Sequence, residues 1–237
     1  MLPVLVLILH LLPQGILAQL DLKPYFCSEV NECYSFIDVC KDSEYETRSY
    51  EQSTWIGSYI LPSEGRERAV ARLAEYFNKY NGADIQIERT APILTKFRTV
   101  NGVPRAIVVY SMLPRRFYSN PPFPRDYQTF IKYFPPMLMF VKSFGGWFTN
   151  VERKSQELFE DLLRQREHFY QDRYYTARYN GPLTIFRRHN EVWYLALGMP
   201  RCSSRNRWSV GRMVSSSRKG MADQIRPIQR ASNGSVL

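Results

Sequence analysis

The spacing of hydrophobic and polar positions changes period several times along the chain, and each change marks an element. From 45 to 61, "YETRSYEQSTWIGSYIL" interleaves aromatic and β-branched residues with polar ones, which predicts a strand. "SEGRERAVARLAEYFNKYNG" follows, and Ala69, Val70, Leu73, Phe77 and Tyr80 recur there at helical spacing. Ser63 is placed to cap that helix and Gly82 to stop it. Alternation then returns in "DIQIERTAPILTKF" and "RAIVVYSMLP", two strands parted by the turn residues Asn101-Gly102.

The same order is repeated further on. "TFIKYFPPMLMFVKSFGG" reads as a strand, and a helix is predicted from about Val151 to Tyr170, opened by a capping-box spacing of Thr149 and Glu152. Leu158, Phe159, Leu162, Leu163 and Phe169 form its apolar stripe. "YYTARYNGPLTIFRRHNEVWYLAL" supplies two closing strands, and Pro182 falls where Pro92 falls in the first half. Each half, about 45–113 and 127–198, therefore reads strand, helix, strand, strand. Such a unit covers one sheet face with its helix and leaves the other bare, so two units bury their bare faces together as a sandwich or distorted barrel of α+β class. The connection "PRRFYSNPPFPRD" holds four prolines and is expected to lie along the surface.

The chain ends add context. Residues 1–18 are apolar, too short for a comfortable span and end in Ala18, the pattern of a secretory signal peptide cleaved near Ala18–Gln19. That predicts a secreted protein with a Cys-containing segment at 19–44, a folded domain at 45–200 and a tail at 201–237. No later segment is long and apolar enough for stable membrane insertion. The formal net charge of +10 lies mostly in the tail, where seven Arg and one Lys face one Asp. Few large apolar residues and no period there predict disorder, with contact to acidic glycans or a protein as the role open to it. The tail also carries the sequon at Asn233. Cys27, Cys33, Cys40 and Cys202 allow three full pairings, and a disulfide pinning the N-terminal segment is expected rather than a zinc site.

Catalytic constellations are not legible in this sequence. There is no nucleophile elbow, phosphate-cradling glycine loop, His-Glu-x-x-His or dinucleotide fingerprint. Beyond the leader only His168, placed near a helix end, and His189, placed in a solvated turn, remain. A non-enzymatic protein is expected. A nearly balanced folded region behind an export signal also argues against nucleic acid.

Five ordered stretches, "YETRSYEQSTWI", "ERTAPILTKF", "RRFYSNPPFP", "FVKSFGG" and "YYTARYNGP…RRHNEVWYL", together resemble the SOUL/heme-binding protein family from about Tyr45 to Leu197. The resemblance implies a tandem βαββ repeat forming a distorted antiparallel β-barrel flanked by two helices. It also implies non-covalent binding of heme or another porphyrin in a hydrophobic cleft beside the first helix.

Carried onto this sequence, the resemblance gives Val70, Leu73, Ala74 and Phe77 as an apolar wall. Ser49 stands where one member places a histidine ligand, so binding without an axial histidine is expected. Glu67 and Glu75 stand at positions that meet propionates in another member, which leaves Arg68, Arg72 or Arg89 to take that part. Burying on the order of 400 Å² of macrocycle at ~25 cal/mol/Å² gains roughly 10 kcal/mol, against association costs of ~4–15 kcal/mol. Weak binding and a role as carrier or scavenger follow. The alternative is an extracellular interaction module that keeps the fold without a working heme site.

Overall fold

The long strand expected at the head of each half is broken once, and those two breaks shape the molecule. The computed structural model describes residues 24–201, except position 182 and the side chain at position 148. The leader, the basic tail with its sequon, and Cys202 lie outside the described residues.

In chain order the elements are β1 (Glu32–Cys33), β2 (Phe36–Lys41), β3 (Glu46–Tyr50), β4 (Ser53–Tyr59), α1 (Gly65–Phe77), β5 (Thr90–Ala91), β6 (Ile93–Val100), β7 (Val103–Met112), β8 (Thr129–Phe134), β9 (Met137–Gly145), α2 (Val151–Arg164), β10 (Arg173–Arg178) and β11 (His189–Leu195). Nine strands form one sheet in the order β2-β3-β9-β11-β10-β6-β7-β4-β8, while β1 and β5 pair separately and in parallel.

The first break falls at Glu51-Gln52 and the second at Pro135-Pro136, where proline offers no N–H to a ladder. The breaks face each other. Pairing runs Glu46↔Val141 to Tyr50↔Met137 on one side and resumes in the same register at Ser53↔Phe134, ending at Ser58↔Thr129. One antiparallel ladder therefore bends at a shared corner, and the sheet, which carries its β3–β9 part near one end and its β4–β8 part at the other, curls into the expected distorted barrel. The turn Asn101-Gly102, with φ of 52° and 77°, closes the β6–β7 hairpin as the sequence predicts.

Both helices are shorter than their periodic stretches. Ser63 does not cap α1: the chain turns at Leu61, whose carbonyl accepts from the Glu64 and Gly65 amides, and the helix starts at Gly65. Gly82 does not end it either, because the Asn81 side chain takes the Tyr76 carbonyl at 2.8 Å and Lys79 turns left-handed. Tyr80 is left half-exposed as a result. Asn150 rather than Thr149 precedes α2, with no side-chain cap. Arg166, left-handed at φ 57°, ends α2 well before Tyr170. Leu163 then lies outside the buried stripe, although Phe169 still reaches the core.

Three apolar clusters follow from this layering. One fills the barrel, built on Tyr50, Trp55, Tyr110, Tyr175 and Trp193. A second lies between α2 and the outer sheet face, with Leu158, Leu162, Tyr174 and Tyr194; Trp193 and Tyr194 thus face opposite sides of β11, as alternation requires. The third lies between α1 and the sheet, with Leu73, Phe77, Ile56 and Val109. The N-terminal segment is stapled by a Cys27–Cys33 disulfide, and Cys40 is disulfide-bonded as well.

Candidate functional site

The apolar residues expected to wall a cleft on α1 divide between two environments. Leu73 and Phe77 turn inward against Ile56, Val109 and Leu113 and belong to the core. Val70 packs at the edge of that cluster and Ala74 is half-buried. The arginines divide too. Arg72 is buried, with its guanidinium donating to Ser58 Oγ at 3.0 Å, to the Tyr59 carbonyl at 2.6 Å and to Glu64. Arg68 pairs with Glu75 at 2.9 Å, and Arg89 is exposed. The structure does not gather Arg68, Arg72 and Arg89 at one place.

A different set of arginines converges beside the start of α1. Thr95 on β6 and Thr176 on β10 are cross-strand partners on the outer face of the sheet. Arg66, from the first turn of α1, reaches over them and donates to Thr95 Oγ1 at 3.1 Å. Arg178 follows on the same face of β10, since its neighbours Ala177 and Tyr179 point into the barrel. Burial and then the neighbouring Arg178 charge pull Arg66 below its ordinary value, and burial and then Arg188 do the same to Arg178. Guanidiniums remain charged through such shifts, so the three create a concentrated positive field. Glu67, 4.0 Å from Arg66 and largely exposed, offsets part of it.

Two buried polar atoms in this region, Thr176 Oγ1 and Arg188 Nε, have no hydrogen-bond partner among the described residues. An unmet donor on a buried guanidinium is expensive unless an acceptor arrives. Arg188 otherwise donates to the Thr184 carbonyl at 2.8 Å and lies 4.6 Å from the centre of the Trp147 ring. The cluster of Arg66, Arg178 and Arg188 between α1 and the β10–β11 loop thus offers arginine forks suited to carboxylates, and Val70 and Ile93 pack at the edge of the adjoining α1 cluster.

Near the same loop lies a buried charge network that the sequence hid. The Glu191 carboxylate accepts from Arg48 Nη1 at 2.8 Å, Tyr179 OH at 2.9 Å and Trp193 Nε1 at 2.7 Å. His189 Nε2 lies 2.6 Å away and must donate, because an ionised carboxylate only accepts. Burial alone would raise the Glu191 pKa, but the Arg48 charge and the His189 contact outweigh it and hold the group at about 2. His189 is therefore not in a solvated turn: it is buried, with its ring stacked on Phe26 at 3.9 Å and 5°. Its Nε2 is committed to Glu191. His168 is exposed and stands beyond the end of α2, donating nothing to that helix; its carbonyl accepts from Leu197.

At the other helix, an open polar cavity of about 440 Å³ runs between Tyr45, Lys142, Lys154 and Glu157. Its mixed charges suit water better than a flat apolar ring. Among the described residues no three His, Cys, Asp or Glu side chains converge as metal ligands, and no helix is long and apolar enough to cross a membrane.

The fold is a curled antiparallel barrel with two covering helices, and an arginine cluster stands beside the first of them. The SOUL heme-binding protein family matches residues 31–195, and the chain belongs to it. Human heme-binding protein 2 is 26% identical over 164 residues, covering 66% of this chain and 80% of that protein. Heme-binding protein 1 of Xenopus tropicalis is 24% identical over 157 residues, covering 64% and 83%. Among solved structures, EcmrR in its DNA complex shares the fold at a TM-score of 0.50 and 7% identity, over 65% of this chain and 58% of that one.

Proposed function

We propose that this protein binds heme or a related tetrapyrrole non-covalently at the arginine cluster between α1 and the β10–β11 loop, as a secreted carrier or scavenger rather than an enzyme. The observation that carries the reading is the convergence of Arg66, Arg178 and Arg188, with Arg188 Nε buried and unmatched. Two propionates would offset most of the charge of this cluster and supply the missing acceptor. The macrocycle edge would lie against Val70 and the outer sheet face near Ile93. Bound heme would bring an iron centre, but the chain's own part is to position the carboxylates and exclude water from one face. With His189 committed to Glu191 under Phe26, affinity comes from apolar burial and charge, without an axial histidine.

The test is a titration of the protein with ferric heme and with metal-free protoporphyrin, read by absorbance and Trp quenching, for the natural chain and for Arg178→Glu. Saturable binding of both ligands with a small Soret shift is expected. The Arg178→Glu change should weaken both by roughly tenfold or more, the loss of one charge-assisted contact of ~1.5–3 kcal/mol. No binding of either ligand would leave the fold as an interaction module. A sharp shift with heme alone would instead demand an iron ligand.

A further inference from the structure

The β10–β11 loop has a second feature, separate from the arginine cluster. Leu183, Ile185 and Phe186 are 92%, 65% and 81% exposed, far more than lining a groove would leave them. Trp147 and Tyr25, 59% and 70% exposed, join them from two other segments. Trp147 lies against Arg188 at the base of the loop, and the Tyr25 ring is 6.2 Å from that of His189. Five large apolar side chains are thus gathered at one end of the barrel.

The loop is anchored beneath them. Glu29 accepts from Asn180 Nδ2 at 2.7 Å, the Gly181 amide at 3.0 Å and Thr184 Oγ1 at 2.7 Å, while the His189 amide donates to Asn180 Oδ1 at 2.8 Å. Asn190 Nδ2 ties down the Gly146 carbonyl at 3.0 Å, so the turn bearing Trp147 is held to the same base. An apolar tip fixed in this way has no partner within the described chain, and exposed patches of this kind mark interaction sites.

We propose that this tip is a membrane-contact face, with Leu183, Ile185 and Phe186 entering the interfacial layer of an anionic bilayer. Three observations select a lipid surface over a folded protein. Leu183, Ile185 and Phe186 are exposed together on one short loop, and a soft planar surface accepts such side chains without a preformed pocket. Trp147 and Tyr25 are exposed beside the base of the loop, and amphipathic aromatic rings settle at headgroup level. Positive charge stands on the tip itself: Arg187 is exposed beside Phe186, while the Glu29 carboxylate is turned to the loop's own donors at its base. The contact is peripheral and reversible, and it stands independently of the heme reading.

The test is co-sedimentation of the full chain with phosphatidylcholine vesicles with and without phosphatidylserine, for the natural protein and for Leu183→Ser/Phe186→Ser. Both substitutions sit on exposed side chains, so folding should be unchanged, as circular dichroism would verify. Binding that requires phosphatidylserine and falls at least about tenfold in the double variant is expected. Brominated lipid should quench the natural protein, and Trp147→Phe should remove most of that quenching. Equal binding by the double variant would assign it to the basic tail and overturn the proposal. So would absence of vesicle binding, including the case in which the tip instead mediates self-association that the double variant abolishes.

Discussion

Glu191 shows how one residue can hold a barrel mouth together. Its carboxylate is fully buried and collects Arg48 from β3, His189 and Trp193 from β11, and Tyr179 from just past the end of β10. Removing one partner of such a set leaves the others as buried unmatched donors, so Glu191→Ala should destabilise by about 3–5 kcal/mol in urea unfolding. The pH dependence has a definite sign. The folded pKa of about 2 lies below the ordinary 4.5, so the ionised form favours the folded state. That stability is fully present above about pH 4.5 and is lost as pH falls toward 2. Glu191→Gln should therefore differ most from the natural protein at neutral pH, with the gap in unfolding midpoints narrowing across that window. A constant gap from pH 6 to 2 would contradict the assignment. None of this was legible locally: "RRHNEV" reads as a basic turn entering a strand, and the residue that buries His189, Phe26, lies far away in sequence. The clustered arginines were obscured for the same reason. Arg66, Arg178 and Arg188 come from α1, β10 and the following loop, which the β6–β10 and β10–β11 pairings bring together.

At the scale of elements, periodicity predicted what exists better than where it stops. The helix–strand–strand order of both halves was legible because α1 and α2 each face a sheet, and Leu73, Leu158 and Leu162 repeat at helical spacing for that reason. Helix ends depended on side-chain and backbone contacts such as Asn81 with Tyr76, which spacing does not report. The helical stripe on α1 could be read as a ligand wall but fitted a core face better, and Leu73 packs in the core. Leu73→Ala should lower stability by ~2–5 kcal/mol, measured by denaturant unfolding, while changing heme affinity little. A large affinity loss with unchanged stability would reverse that reading. Gly57 carries a second constraint on β4. A Cβ there would meet the Phe130 ring at 2.7 Å and Tyr110 at 2.9 Å, so the cross-strand aromatic lies directly over the glycine. Gly57→Ala should shift Phe130 and destabilise by about 1–3 kcal/mol, the usual range for overpacking, with the largest loss of amide protection along β4 and β8.

For the whole molecule, the two half-repeats do not simply stack. They exchange the two arms of their bent strands, and the resulting barrel is filled with rings: Tyr34, Tyr50, Trp55, Tyr110, Tyr175 and Trp193. Its end near His189 is covered from outside the repeats by the N-terminal segment. Phe26 stacks on His189 and meets Tyr179 edge-on at 4.7 Å, Cys27 is fully buried, and Tyr34 donates to the Glu51 carbonyl at the strand corner. The sequence suggested a disulfide-pinned approach segment but not that it forms part of the barrel core, because the aromatic contacts of Phe26 and Tyr34 are with distant strands. This placement predicts that the segment guards the only histidine held inside the described fold. Phe26→Ala should lose about 3–5 kcal/mol of stability, at the lower end if the neighbouring rings close in. It should also speed modification of His189 by diethyl pyrocarbonate, with His168, already exposed, reacting equally in both proteins. If the His189 rate stayed unchanged in a folded Phe26→Ala protein, the cover would have to come from the β10–β11 loop instead. The Leu183→Ser/Phe186→Ser variant would then be the comparison that locates it.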